Sequence, residues 1–242
     1  MDKKRLTKLQ GLIEQIEASD NATCGLKRAA RSFLKEIVLF ENHISGLNRL
    51  KREKLPAKVL KVQIGGGTHI LPGFLNIDII PPADVIYDVR EGIPLRSDSV
   101  ELIFSEHFLE HIDYPNSVKK FVKECYRILK NEGTLIIGVP DSEIVLKNYL
   151  RKNKDFWTLM LNRWYPKRKF LELNTYIDLV NYHFRDQDDD PKYNPHYWAY
   201  DFEKLESLLK EAGFLKIKNW KFDGSIANPK RKWGSVYVIG KK

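Results

Sequence analysis

Residues 59–79 read VLKVQIGGGTHILPGFLNIDI. The β-branched run up to Ile64 passes straight into Gly65, Gly66 and Gly67, and a second apolar run closes on Asp78. A buried strand that ends in glycines makes a turn that a ligand can approach closely, because no Cβ stands in the way. A glycine cluster alone is weak evidence. Its context strengthens it, since a carboxylate at the end of the following strand can accept both hydroxyl hydrogens of a ribose.

Outward from this stretch the chain alternates short apolar runs with turns and helices, the pattern of a parallel α/β sheet. Strands are predicted at 59–64, 75–79, 84–87, 100–104 and 134–139, and Asp88 falls just past the third, in reach of an adenine amino group. Between the last two lies a helix with Val118, Phe121, Val122, Cys125 and Leu129 on its buried side and Gly133 placed to end it. Residues 141–198 form an insertion rich in Trp, Tyr and basic residues, broken by the acidic run RDQDDDPKYNP. A helix over 201–212, ended by Gly213, and two strands, FLKIKNW and SVYVIGK, complete the chain.

Residues 1–55 have a different character. Leu6, Leu9, Ile13 and Ile16 share one helical stripe. After a break at 20–25, the residues Leu26, Ala30, Phe33, Ile37, Phe40, Ile44 and Leu47 follow the alternating four and three spacing of a heptad seam. The resulting hairpin either caps the main domain, 56–242, or pairs with a second copy, and the seam favours a homodimer. Residues 1–58 hold 13 Lys and Arg against 7 Asp and Glu, a net of +6 within the chain's +9. At that mild density a solvated helical face is the simpler reading, and nucleic acid is not the expected partner. No apolar run is long enough to span a bilayer, the first residues lack the core of a signal peptide, and two cysteines cannot build a disulfide framework. A cytoplasmic location is expected.

At the glycine loop the sequence resembles the class I S-adenosylmethionine-dependent methyltransferases, within the group called methyltransferase type 11. The resemblance is carried by IGGGTHILPGFLNID, YDVREGIPLRSDSVELIF, SEHFLEHI and GTLIIGVPD. It implies a Rossmann-like, doubly wound, seven-stranded sheet with an antiparallel last strand, and S-adenosylmethionine as cofactor. By position, Gly65, Gly66 and Gly67 support the amino acid part of that cofactor, Asp78 with Ile79 holds the ribose, Asp88 with Val89 holds the adenine, and Ser105 and Glu106 line the pocket. Gln63 stands where the family has an acid, and His69 where it has a further glycine. An amide at 63 can hydrogen bond but cannot offset the cofactor's positive charge, so a degenerate, non-catalytic binding protein is an alternative.

Other readings compete at the same residues. A nicotinamide-binding turn needs G-x-G-x-x-G, but the third glycine position is Ile70. Tyr126 and Lys130 form the Y-x-x-x-K pair of short-chain dehydrogenases one strand too early. His107, Glu110 and His111 have the order H-x-x-E-H of inverted zinc peptidases, a weaker alternative, and no metal is assigned. The Asn/Asp-Pro-Pro-aromatic motif of base amino methyltransferases is replaced by Ser105-Glu106-His107-Phe108. Methyl transfer from a sulfonium is an in-line displacement, and a hydroxyl acceptor also needs a base. His107 is the leading candidate, with Asp141 and His196 as runners-up. Trp157, Trp164, Tyr165, Tyr182, His183, Tyr197 and Trp198, with Arg163, Lys167 and Arg168, make the insertion the place for acceptor recognition, and a sugar hydroxyl in surface-polysaccharide synthesis is the expected substrate.

Overall fold

In the computed structural model, residues 3–53, 55–56, 59–163, 173–185 and 195–242 are described. Trp164, Tyr165, Lys167 and Arg168 of the insertion lie outside them. The sheet comprises β1 (Lys61–Ile64), β2 (Leu75–Asp78), β3 (Val85–Ile86), β4 (Val100–Glu106), β5 (Leu129–Pro140), β6 (Leu215–Asn219) and β7 (Ser235–Lys241). Their order is β3-β2-β1-β4-β5-β7-β6. The first five are mutually parallel, and β7 runs antiparallel to both its neighbours. This is the Rossmann-like seven-stranded methyltransferase sheet that the resemblance implied.

Alternation along the strands creates two apolar layers. Ile103, Leu135 and Ile137 join Val118, Phe121, Cys125, Leu205 and Leu209 in the larger core. These come from α3 (Asn116–Ile128) and α7 (Phe202–Ala212), the latter ended by Gly213 in the left-handed region at φ 101°. Phe104, Ile136 and Tyr237 alternate with them and pack under Phe74, Trp220 and Phe222. Each large apolar side chain buried in these layers contributes about 1.5–3 kcal/mol. Burial also pushes the Cys125 thiol well up, so it serves as a packing residue.

The helix α3 ends earlier than the sequence indicated. Ile128 is its last residue, Leu129 already pairs with Val100 in the sheet, and the turn at Glu132, with φ 61°, comes after an irregularity in β4–β5 pairing. Gly133 therefore serves this turn and not the helix end, since a Cβ there would lie 2.7 Å from the Lys130 carbonyl oxygen. Tyr126 sits edge-on to Phe214 and under the Lys242 ammonium, while Lys130 pairs with Glu101 at 2.9 Å. The Y-x-x-x-K spacing is structural.

Two helices, α1 (Lys3–Ala18) and α2 (Cys24–Arg52), form the hairpin, with the Thr23 hydroxyl capping α2. The hairpin caps the sheet, the first of the two arrangements considered. It docks through the polar face of α2. Asn42 donates to the Ile79 carbonyl at 3.1 Å, His43 Nδ1 accepts from the Asp88 amide at 3.1 Å, and Glu36 pairs with Arg90 at 3.0 Å. Gly46 lets α2 meet β3, because a Cβ there would fall 1.8 Å from the Ile86 carbonyl oxygen. The predicted seam points partly outward, and Leu26, Phe33 and Phe40 are half exposed.

The insertion carries α4 (Ser142–Leu150), α5 (Lys154–Arg163) and α6 (Tyr176–Phe184), which share a small core of their own. Trp157 is buried there and stacks on Tyr176 with ring centroids 5.8 Å apart, so it packs the insertion and does not face a ligand. Among the described residues, no helix is long and apolar enough to cross a membrane.

Candidate functional site

Gly65 donates to the Ile77 carbonyl at 3.0 Å, which pins the loop to the end of β2. Its φ is +69°, and a Cβ there would lie 2.3 Å from the Phe108 ring, so both conformation and space require glycine. Gln63 accounts for the path that follows. Its amide nitrogen donates to the His69 carbonyl at 2.7 Å, and its oxygen accepts from the Leu71 amide at 2.9 Å. A carboxylate could accept the second bond but could not donate the first. Gln63 is buried outside the cavity wall, where its two hydrogen bonds shape the loop.

Asp78 completes the loop's far side. One carboxylate oxygen accepts from the Gly67 amide at 2.8 Å, the other from the Ile80 amide at 3.2 Å. Burial pushes its pKa upward, against the lowering effect of those amides. A carboxylate has roughly four acceptor positions, so two bonds leave capacity for a pair of hydroxyls. Gly65, Gly66, Gly67, Asp78, Ile79, Asp88, Val89 and His107 all line one cavity of about 1050 Å³. Its opposite wall comes from the hairpin, including Gln10, Ile13, Arg28, Arg31 and Lys35.

Several predicted residues do other work. The Asp88 oxygens accept from Arg90 at 2.7–3.0 Å, and Arg90 in turn holds Glu36 of α2. The side chain expected to reach adenine thus ties the hairpin to the cavity rim, and the hydrogen bonds to Asp88 raise the Arg90 pKa. Ser105 and Glu106 are buried but do not line the cavity. Glu106 accepts from the Tyr237 hydroxyl at 2.7 Å, the Asn228 amide at 3.2 Å and Arg231 at 3.2 Å. It anchors the segment that brings Asn228 and Arg231 to the cavity wall. Asp141 accepts from the Glu143 and Ile144 amides as the N-cap of α4, burial raises its pKa, and this helix cap lies off the cavity.

His107 does face the cavity. It sits at φ 53°, uncommon for a residue with a Cβ, and its amide donates to the Gly138 carbonyl at 2.8 Å. Its Nε2 is 2.7 Å from the Ser235 hydroxyl and its Nδ1 is 3.7 Å from Glu110. Burial first, and then Arg231 and the neighbouring imidazoles, hold its pKa well below 6.5, which favours the neutral ring. The H-x-x-E-H order does not form a peptidase site. Only 109–111 are helical, as a single 3-10 turn, so His107 and His111 do not occupy one α-helical face.

His196 comes to this place from the far end of the insertion. Its Nδ1 lies 3.1 Å from the His183 carbonyl, its ring is edge-on to His111 at 4.9 Å, and burial pushes its pKa down to about 3. The adjacent Tyr197 lines the cavity, and Trp198 stacks on Tyr114 at 4.3 Å. His183 is buried in the insertion, with its pKa pushed down to about 4. Asn228, Arg231, Tyr197 and the hairpin wall were not marked as cofactor-site residues by any local motif.

Residues 80–137 match the family model described as a methyltransferase domain. That segment runs from the end of β2 through β3, β4 and α3 into β5, and the sheet around it has the order and the antiparallel seventh strand of the class I enzymes. Over this segment the chain is similar to methyltransferase domains, and its strand order is that of the class I fold. The site suits S-adenosylmethionine, the cofactor of such domains: a glycine cradle that side chains would fill, a buried acid with acceptor capacity, and a cavity of sufficient size. No curated protein matches the chain. Solved structures similar to it include S-adenosylmethionine-dependent methyltransferases from three organisms. That of Thermotoga maritima is 19% identical, with 88% of this chain and 97% of that one covered and a TM-score of 0.44. That of Archaeoglobus fulgidus is 16% identical over 86% and 94%, with a TM-score of 0.44. That of Methanosarcina mazei is 15% identical over 78% and 94%, with a TM-score of 0.47.

Proposed function

We propose that this methyltransferase domain, with residues 1–55 as its cover, transfers the methyl group of S-adenosylmethionine to an oxygen of a small acceptor, a sugar hydroxyl of the kind built into surface polysaccharides. The observation that carries this reading is the imidazole of His107, held on the wall of the cavity that the glycine loop and Asp78 also line.

The bound cofactor supplies an electrophilic methyl group on a positively charged sulfur. The chain's own contribution is to hold, align and dry the site. Gly65–Gly67 and Asp78 seat the cofactor, and the hairpin closes the cavity above them. With Nε2–H donated to Ser235, the Nδ1 of His107 takes the hydroxyl proton as the oxygen attacks, and Glu110 nearby balances the imidazolium. Tyr197 offers an aromatic face to a sugar, and Arg231 suits an acidic substituent.

Transfer of labelled methyl groups to nucleotide sugars and glycans tests the acceptor class. His107→Gln is expected to lower kcat by about 10²–10⁴-fold while leaving cofactor affinity within about twofold. An unchanged kcat removes His107 as the base, and methylation confined to amines overturns oxygen as the acceptor atom.

A further inference from the structure

We propose that Glu110, His111 and His196 form a binding site for a divalent transition-metal ion of the zinc class, beside the acceptor end of the cavity. Each residue offers one ligand atom, and these atoms all lie within 4.8 Å of one another. Tetrahedral coordination with bonds of about 2.1 Å separates ligand atoms by about 3.4 Å.

Three further observations favour an ion here. His196 places its Nδ1 3.1 Å from a carbonyl oxygen, that of His183. A carbonyl can only accept, so Nδ1 carries the proton and Nε2 carries the lone pair. A backbone carbonyl on the other ring nitrogen is the arrangement that orients metal-binding histidines. Next, the backbone supports the junction, because the Tyr197 amide donates to the Glu110 carbonyl at 2.8 Å and Tyr200 bridges to Asp141. This brings His196 beside residues 85 and 86 positions earlier in the chain. Finally, Glu110 is only 1% exposed, and a buried carboxylate is stabilised by a cation among its neighbours.

The donor set is two imidazoles and one carboxylate. Such a set leaves at least one coordination position open, as in catalytic zinc and related sites, and suits zinc or cobalt better than calcium or magnesium. His111 and Tyr197 both line the cavity, so the site adjoins the space where an acceptor enters. This is not the H-x-x-E-H arrangement, because the second imidazole is His196 and not His107. On the methyl-transfer reading, the ion binds the acceptor oxygen and lowers the pKa of its proton, which favours acceptors with two adjacent oxygens, such as a vicinal diol. That consequence depends on the reading above; the ion site itself does not.

The test uses the full chain, freed of metal by a chelator and titrated with Co²⁺ while visible absorption is recorded. One equivalent is expected to produce d–d bands that Zn²⁺ displaces. His196→Ala removes a ligand and is expected to weaken binding by more than the roughly 10–100-fold typical of losing an orienting partner. Glu110→Gln should do the same, with circular dichroism confirming the fold. Should Glu110→Gln fail to fold, His196→Ala decides. No bands from the folded protein, or bands unchanged in His196→Ala, overturn the site. Cofactor titration of the metal-free protein separates the two proposals, since Co²⁺ binding without cofactor binding leaves the ion site standing and the methyl-transfer reading refuted.

Discussion

Asp78→Ala is expected to reduce S-adenosylmethionine affinity by about 10²–10⁴-fold. The carboxylate already takes the Gly67 amide at 2.8 Å and the Ile80 amide at 3.2 Å, and Asp78 lines the same cavity as the glycine loop. Two hydroxyl bonds to a charged acceptor contribute about 1.5–3 kcal/mol each, and every 1.4 kcal/mol is a factor of about ten. The same substitution leaves the Gly67 amide without its acceptor, so loop order is lost together with the direct contacts. Asp78→Asn keeps the shape and one acceptor oxygen, but its amide group meets backbone donors, and an intermediate loss is expected. Calorimetry on the two variants checks this. An affinity for Asp78→Ala within threefold of the unaltered protein would remove Asp78 from the cofactor site.

The second large effect concerns stability. Glu106→Ala should cost about 3–5 kcal/mol, the range found when one member of a buried charge network is removed. Its carboxylate gathers the Tyr237 hydroxyl, the Asn228 amide and Arg231 at the carboxyl end of β4. Arg231 is 37% exposed on its side chain, so solvent screens that pair and the lower half of the range is expected. For a chain of this size each kcal/mol moves Tm by about 2–4 °C, which gives a fall of about 6–16 °C in a calorimetric melt. Glu106→Gln retains an acceptor for Tyr237 and Asn228 and should lose less. A fall under about 2 °C for Glu106→Ala would show that the network adds little.

The sheet was legible because its signals are local. Val59–Ile64 and Gly133–Asp141 are apolar runs bounded by turn residues, and the turn at Gly65 needs a residue without a Cβ. The site was legible in part. Gly65–Gly67, Asp78, Ile79, Asp88, Val89 and His107 share one cavity as their strand-end positions indicated. Their individual roles depend on partners distant in sequence. Asp88 cannot be read as the partner of Arg90 and Glu36 until α2 is docked, and nothing near Glu106 in sequence announces Tyr237 or Asn228. Gln63 looked like the loss of a charge, yet its two hydrogen bonds reach six and eight residues ahead to a loop path that no periodicity encodes.

The hairpin was the reverse case. Its heptad stripe gave a strong local signal, whereas docking follows Asn42, His43 and Gly46 on another face, residues whose value lies in what the sheet edge offers them. His196 had no motif worth trusting. Its place beside Glu110 and His111 depends on how the segment following the insertion returns to the sheet.

The most direct test of the account is calorimetric titration of the intact protein with S-adenosylmethionine and S-adenosylhomocysteine, with NAD as control. Saturable binding of both sulfur compounds at one site per chain, and none of NAD, is the predicted result. Absence of binding by folded protein would contradict the assignment of this cavity to the cofactor.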